Sequence, residues 1–205
     1  MMTWMNKGLL LVFVTALFLI TVFTIQKWDK PVPPDERVLD DVYEQVQEFR
    51  NSSLLAQKID NMHNEMNQIV CWGRHRAYDD PNYEGWIEHP ILSDPDYMNN
   101  IFYILRNAEG IYEDIRTDLL VFESYLKIAR EEKKGEYLVS AHRVIHDLDY
   151  WVFGDADKCA RVASADYFGA TTVLEGNNKY YQEVSSMLYD YTDVFNGCIF
   201  QTNNN

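Results

Sequence analysis

Apolar residues recur at three- and four-residue steps along most of the chain, the period of helices with one buried face, and no useful length alternates as a half-buried strand would. From Asp35 to about Val70 the stripe is Val42, Val46, Phe49, Ala56, Ile59, Met62, Met66, Ile69 and Val70. This predicts one long amphipathic helix, with Asp35 and Glu36 in the first turn, where negative charge favours the helix dipole. A second pattern opens at Ser93-Asp94-Pro95-Asp96, where Asp94 is placed to cap and Pro95 to take the first helical position. It continues through Ile101, Leu105, Ala108, Ile111, Ile115, Leu119, Phe122, Leu126 and Ala129 to Lys133-Lys134-Gly135, a basic end followed by glycine. The third stripe, Leu138, Ala141, Ile145, Leu148 and Val152, stops or kinks at Gly154. Two more helical pieces follow, one from about Asp155 to Leu174 and one from Asn177 to Phe195, whose Tyr181, Tyr191 and Phe195 suit a core. The fold class is therefore all-α: an antiparallel bundle of four to five helices over residues 35–197, ending in a polar tail at 198–205.

The start of the chain has a different pattern. Residues 8–25 hold no charge, and at about 1.5 Å per helical residue they cover roughly 27 Å, close to the hydrocarbon thickness of a bilayer. Trp4 and Trp28 flank the run as interfacial indoles would. It ends Val22-Phe23-Thr24-Ile25-Gln26-Lys27 rather than in small residues of A-x-A type, which favours an uncleaved anchor over a signal peptide. Residues 1–30 thus read as an N-terminal transmembrane helix with short flanks, and Pro31 to Pro34 as a stiff spacer. The basic residues count for a cytoplasmic body, with Lys7 on one side and Lys27, Lys30 and Arg37 on the other. The short N-terminal tail is the usual signal-anchor layout, however, and long domains translocate largely regardless of charge, so the body is expected outside the cytoplasm.

Charge narrows the partners. The chain has 18 basic and 32 acidic residues, of which three and one precede Pro31, leaving the body 15 basic against 31 acidic, a net −16. Such a body repels polyanions, so nucleic acid is excluded as a partner. Cys71, Cys159 and Cys198 permit one disulfide and match no zinc or Cys-x-x-Cys spacing. Asn51-Ser52-Ser53 fits a glycosylation sequon, a triplet that arises often by chance.

Two places carry candidate chemistry. His142 and His146 stand four apart on the third helix with Asp149 three further on, a face able to hold a metal, and His63 on the first helix offers a third ligand. Asp60, Glu109 and Glu113 are further candidates. At about 100° per residue, His142 lies roughly 75° and His146 roughly 115° from the centre of the apolar stripe. That places both on the flank or surface, as solvated histidines beside carboxylates, so no metal is favoured and no cofactor is expected. Asp155-Ala156-Asp157 lacks the ligand spacing and central glycine of a calcium loop.

The second place is residues 71–93, read as the longest structureless stretch. Trp72, Tyr78, Tyr83 and Trp86 can fold over one end of the bundle as a cap, while Arg74-His75-Arg76 is the densest basic triplet in an acidic body. Aromatic and arginine surfaces are what protein interfaces favour, which makes Trp72, Arg74, Arg76, Tyr83 and Trp86 the candidate partner-binding residues. Nucleophile elbows, phosphate loops, dinucleotide fingerprints and zinc-protease motifs are all missing. The expectation is a single-pass membrane protein with a non-enzymatic body that binds a protein or senses a ligand through the 71–93 loop. The alternatives are a metal-binding bundle using His63, His142 and His146, and a structural spacer.

Overall fold

The computed structural model describes residues 31–52, 54–106, 109–154 and 167–174. The expected anchor, the pieces from 155 to 166 and from 177 to 195, Cys159, Cys198 and the tail all lie outside the described residues. The chain divides into units Met1–Val32 and Pro33–Asn205, and the second is the helical body. Every regular element among the described residues is helical, and no helix among them is long and apolar enough to cross a membrane.

Helix α1 spans Glu36–Ser52 and α2 spans Leu54–Val70, and together they cover the first pattern on either side of residue 53, which lies outside the described residues. The predicted stripe is the buried one: Val42, Val46, Ile59, Met62, Met66, Ile69 and Val70 are all inside. Residues 71–93, expected to be structureless, instead hold 3-10 turns over Cys71–Asp79, interrupted by left-handed Trp72 and Gly73, and two short helices, α3 at Gly85–Glu88 and α4 at Pro90–Ser93. The periodicity was too brief to register there, because each piece is little more than one or two turns.

The second pattern is divided. Asp94 Oδ1 accepts from the Asp96 amide at 2.8 Å and opens a turn, α5 runs Asn99–Ile104, and α6 runs Ile111–Glu132. Gly110, at φ 58, precedes α6 in a backbone region that glycine enters without a Cβ penalty. Helix α6 ends at Lys133, which takes the left-handed C-cap position expected of glycine (φ 54). Gly135 instead begins α7, Gly135–Asp147. A Cβ at Gly135 would run into the His75 carbonyl, and the Gly135 amide donates to Asp79 Oδ1 at 2.9 Å. Helix α7 then widens into a π turn at Leu148–Val152, closed by the Phe153 amide on the Leu148 carbonyl at 3.0 Å.

The two-residue link makes α6 and α7 an antiparallel hairpin, the most extensive pairing in the body. The other flank of α7 lies along α2, again antiparallel: residues 63, 67 and 75 meet 149, 142 and 135. The described end of the piece expected to be helical to Leu174 is not helical at residues 167–174, although it is largely buried. Its amides reach two buried carboxylates rather than helical carbonyls.

Because nothing at the Gly135 contact is the far end of a flexible side chain, Gly135→Ala must move backbone. We expect it to lower the melting midpoint by about 4–8 °C, the effect of an overpacked core site in a body of this size. Thermal melts followed by circular dichroism read this, and an unchanged midpoint would remove the contact from the fold's determinants.

Candidate functional site

Residues four apart lie one above the other on a helix face. His63, Asn67 and Cys71 form such a row along α2 and its end, and His142, His146 and Tyr150 form another along α7 and the π turn. The two rows face each other. The His63 and His142 ring centroids are 5.3 Å apart, His63 and His146 5.2 Å, and His142 and His146 5.9 Å. Tyr150 closes one side, 5.2 Å from His63 and 4.7 Å from His146, and Phe168 lies 4.8 Å from His146.

Hydrogen bonds fix the tautomers. Asp149 Oδ2 lies 2.8 Å from His63 Nδ1, and a carboxylate can only accept, so Nδ1 carries the hydrogen. The lone pair of His63 Nε2 then faces Asn67 Nδ2 at 3.3 Å. Asn67 Oδ1 accepts from His142 Nε2 at 2.8 Å and from the Cys71 thiol at 3.3 Å. His146 Nδ1 is buried without a hydrogen bond among the described residues; Asp147 Oδ1 is 3.5 Å away but poorly aligned. Burial, reinforced by His63, His146 and Arg143, pushes His142 down to about 3, so it is a neutral imidazole at ordinary pH.

The helical wheel placed His142 and His146 on the flank of α7, and both are half-buried there. That flank faces α2 rather than solvent, which corrects the expectation of solvated histidines. A wheel centred on one stripe assumes one neighbour, whereas α7 has two. His63, His142 and His146 therefore converge, with Asp149 attached to His63. Asp60, Glu109 and Glu113 stay exposed and do not join them. As they stand, no three His, Cys, Asp or Glu side chains among the described residues are placed to hold a metal ion.

The 71–93 segment divides into an inner and an outer face. Trp86 is buried: its ring packs edge-on against Tyr78 at 5.1 Å, its Nε1 donates to the Asp80 carbonyl at 3.2 Å, and the Lys133 ammonium sits over it at 4.4 Å. It belongs to a cap with Tyr78 and cannot serve as a surface anchor. Tyr83 packs on Tyr78 at 4.9 Å and is only marginally exposed. Arg74 is exposed but its Nη1 donates to the Gln68 carbonyl at 3.1 Å, closing the end of α2. Arg76 is exposed, and Trp72 is 95% exposed at φ 61, followed by Gly73 at φ 77.

Two buried carboxylates escaped the sequence reading. Asp147 accepts from the Phe168 and Ala170 amides at 3.1 and 2.9 Å, and Asp118 from the Thr172 and Val173 amides at 2.6 and 3.1 Å. The signal was present: Asp118 occupies a stripe position between Ile115 and Phe122. Burial pushes Asp118 up to about 7, against the pull of the two amides.

No protein-family model matches the chain, and neither a curated protein nor a solved structure is detectably similar to it.

An acid whose folded value lies above its ordinary value of 3.8 binds its proton more tightly when folded, so its contribution falls as pH rises from about 4 to about 7. The stability lead of the wild type over Asp118→Asn should shrink across that window in urea melts. A lead that grows would show that the amides outweigh burial. Asp147→Ala strands two amides at once and should cost about 2–4 kcal/mol. Hydrogen exchange at residues 168 and 170 should speed up first; unchanged protection there would mean the carboxylate holds nothing.

Proposed function

We propose that this chain is a single-pass membrane protein whose acidic helical body, held outside the cytoplasm, binds a protein partner without catalysing a reaction and docks through the outer face of residues 71–93. The uncharged run at 8–25 supports the tether. The observation that carries the docking reading is Trp72. A left-handed backbone at a non-glycine residue costs about 1–3 kcal/mol, and here that cost holds an indole out in water where it adds nothing to the core. Burying that indole against a partner would return roughly 4 kcal/mol, enough to make it an anchor. Arg76 adds a planar cationic contact, and Tyr83 presents one exposed edge. Arg74 closes the end of α2 at the edge of the face, and Trp86 fills the cap beneath it.

This division of labour separates the two tryptophans in experiment. With a photoreactive residue at Arg76 of the full-length protein in its native membrane, irradiation should give a discrete adduct. Trp72→Ala should abolish the adduct while leaving the helical spectrum and melting midpoint unchanged; Trp86→Ala should lower the midpoint. An adduct that survives Trp72→Ala, or equal yield from a photoreactive residue at the exposed Asn64 on α2, would overturn the reading.

A further inference from the structure

The paired rows on α2 and α7 bring three imidazoles together beside the half-buried Asn67 amide and the Cys71 thiol, with Asp149 on His63 and Asp147 near His146. We infer that this interface is a binding site for one divalent transition-metal ion, with His63, His142 and His146 as its nitrogen ligands and the Asn67 side chain as the gate that fills the site when no ion is bound. This inference does not rest on the docking reading above.

Ring spacing is the first support. Imidazole nitrogens bind zinc at about 2.0–2.1 Å, so three rings arranged tetrahedrally about one ion have centroids about 5 Å apart. The three rings here form a triangle of 5.2, 5.3 and 5.9 Å. Three hydrophobic side chains would fill the same space without the cost of burying ring nitrogens.

The second support is what holds the rings. Asp149 grips His63 at Nδ1, the arrangement that presents Nε2 to a metal and makes it more basic. Asp147 Oδ1 lies 3.5 Å from His146 Nδ1 without a hydrogen bond, a carboxylate beside that ring but not a grip on it. Both carboxylates are buried, so they supply nearby negative charge to offset a dication in a site whose three ligands are neutral.

Asn67 explains why the donors do not yet meet. Its amide lies between His63 Nε2 and His142 Nε2, at 3.3 and 2.8 Å, and takes the Cys71 thiol as well. The amide thus satisfies the donors that an ion would otherwise engage. Turning it aside through its own rotamers opens the space between the two nitrogens, and His142 shifts its hydrogen to Nδ1. Imidazole ligands suit zinc, copper, nickel and cobalt rather than calcium or magnesium, which take oxygen.

Full-length protein in detergent, stripped with chelator and titrated with cobalt(II), should take up one equivalent and develop the visible bands of a low-coordinate cobalt site, which zinc should then bleach. His63→Ala, His142→Ala and His146→Ala should each weaken zinc binding at least about 100-fold, and Asp149→Asn about 10–100-fold. Asn67→Ala removes the gate and should tighten binding, a gain that misfolding cannot mimic. Failure of the stripped wild type and Asn67→Ala alike to bind cobalt or zinc would overturn the proposal. So would stoichiometric binding that survives all three histidine substitutions.

Discussion

The body depends on α7 being enclosed from two directions. Its apolar residues Leu138, Ala141, Val144, Ile145 and Leu148 are fully buried, and it pairs with α6 along one flank and α2 along another. A helix with one neighbour can leave its polar flank in water. A helix with two must find partners for that flank inside the protein, because each unpaired polar group costs on the order of 1–3 kcal/mol. His142, His146, Asp147 and Asp149 all follow from that constraint. So does the choice of Asn67 opposite them: a side-chain amide both donates and accepts, so it can serve His63 with one end and His142 and Cys71 with the other.

The same demand explains the buried segment at 167–174. Irregular backbone inside a protein has amides without helical partners, and these must be satisfied locally. Asp147 and Asp118, on adjacent helices of the hairpin, each accept two of them. Gly169, at φ 62, lets the amides on either side of it turn toward one carboxylate. Carboxylates here do the work that a neighbouring strand or helical turn does elsewhere. The arrangement asks a charge to sit in a dry place, and the upward push on Asp118 reflects that conflict.

What was legible in the sequence follows from this. The apolar stripes of α1, α2, α6 and α7 coincide with the buried residues, because a period of three and four survives any detail of packing. The boundaries did not survive so well: the break before α6 depends on one glycine at positive φ, and the left-handed end of α6 falls on Lys133 rather than on Gly135. Composition put five aromatic and arginine residues of 71–93 on one list, but it does not say which ring faces in. Trp86 is inside because the 3-10 helix returns Tyr78 beneath it, a contact eight residues distant in sequence. The convergence of His63, His142 and His146 stood only as an alternative for a simpler reason. A wheel drawn for one helix has no knowledge of a second neighbour, and His63 was the only sign of one.

The strained corner at Trp72 and Gly73 links the two halves of the functional picture. Helix α2 stops at Val70, immediately before Cys71 completes the row of His63 and Asn67. Two consecutive left-handed residues then reverse the chain, which brings the His75 carbonyl against Gly135 and Asp79 onto its amide. Those contacts pin the start of α7 to the end of α2. From that pin to His142 is seven residues, about 10 Å along the helix, and the antiparallel run back from Cys71 to Asn67 covers about 6 Å more. The register that sets His142 opposite Asn67, and with it the triangle of imidazoles, is therefore fixed at the corner that also exposes Trp72. Relaxing the strain by moving Trp72 into a right-handed conformation would continue α2 past Cys71, withdraw His75 from Gly135 and release that register. The exposed indole and the convergence of the three histidines are thus two consequences of a single reversal in the chain.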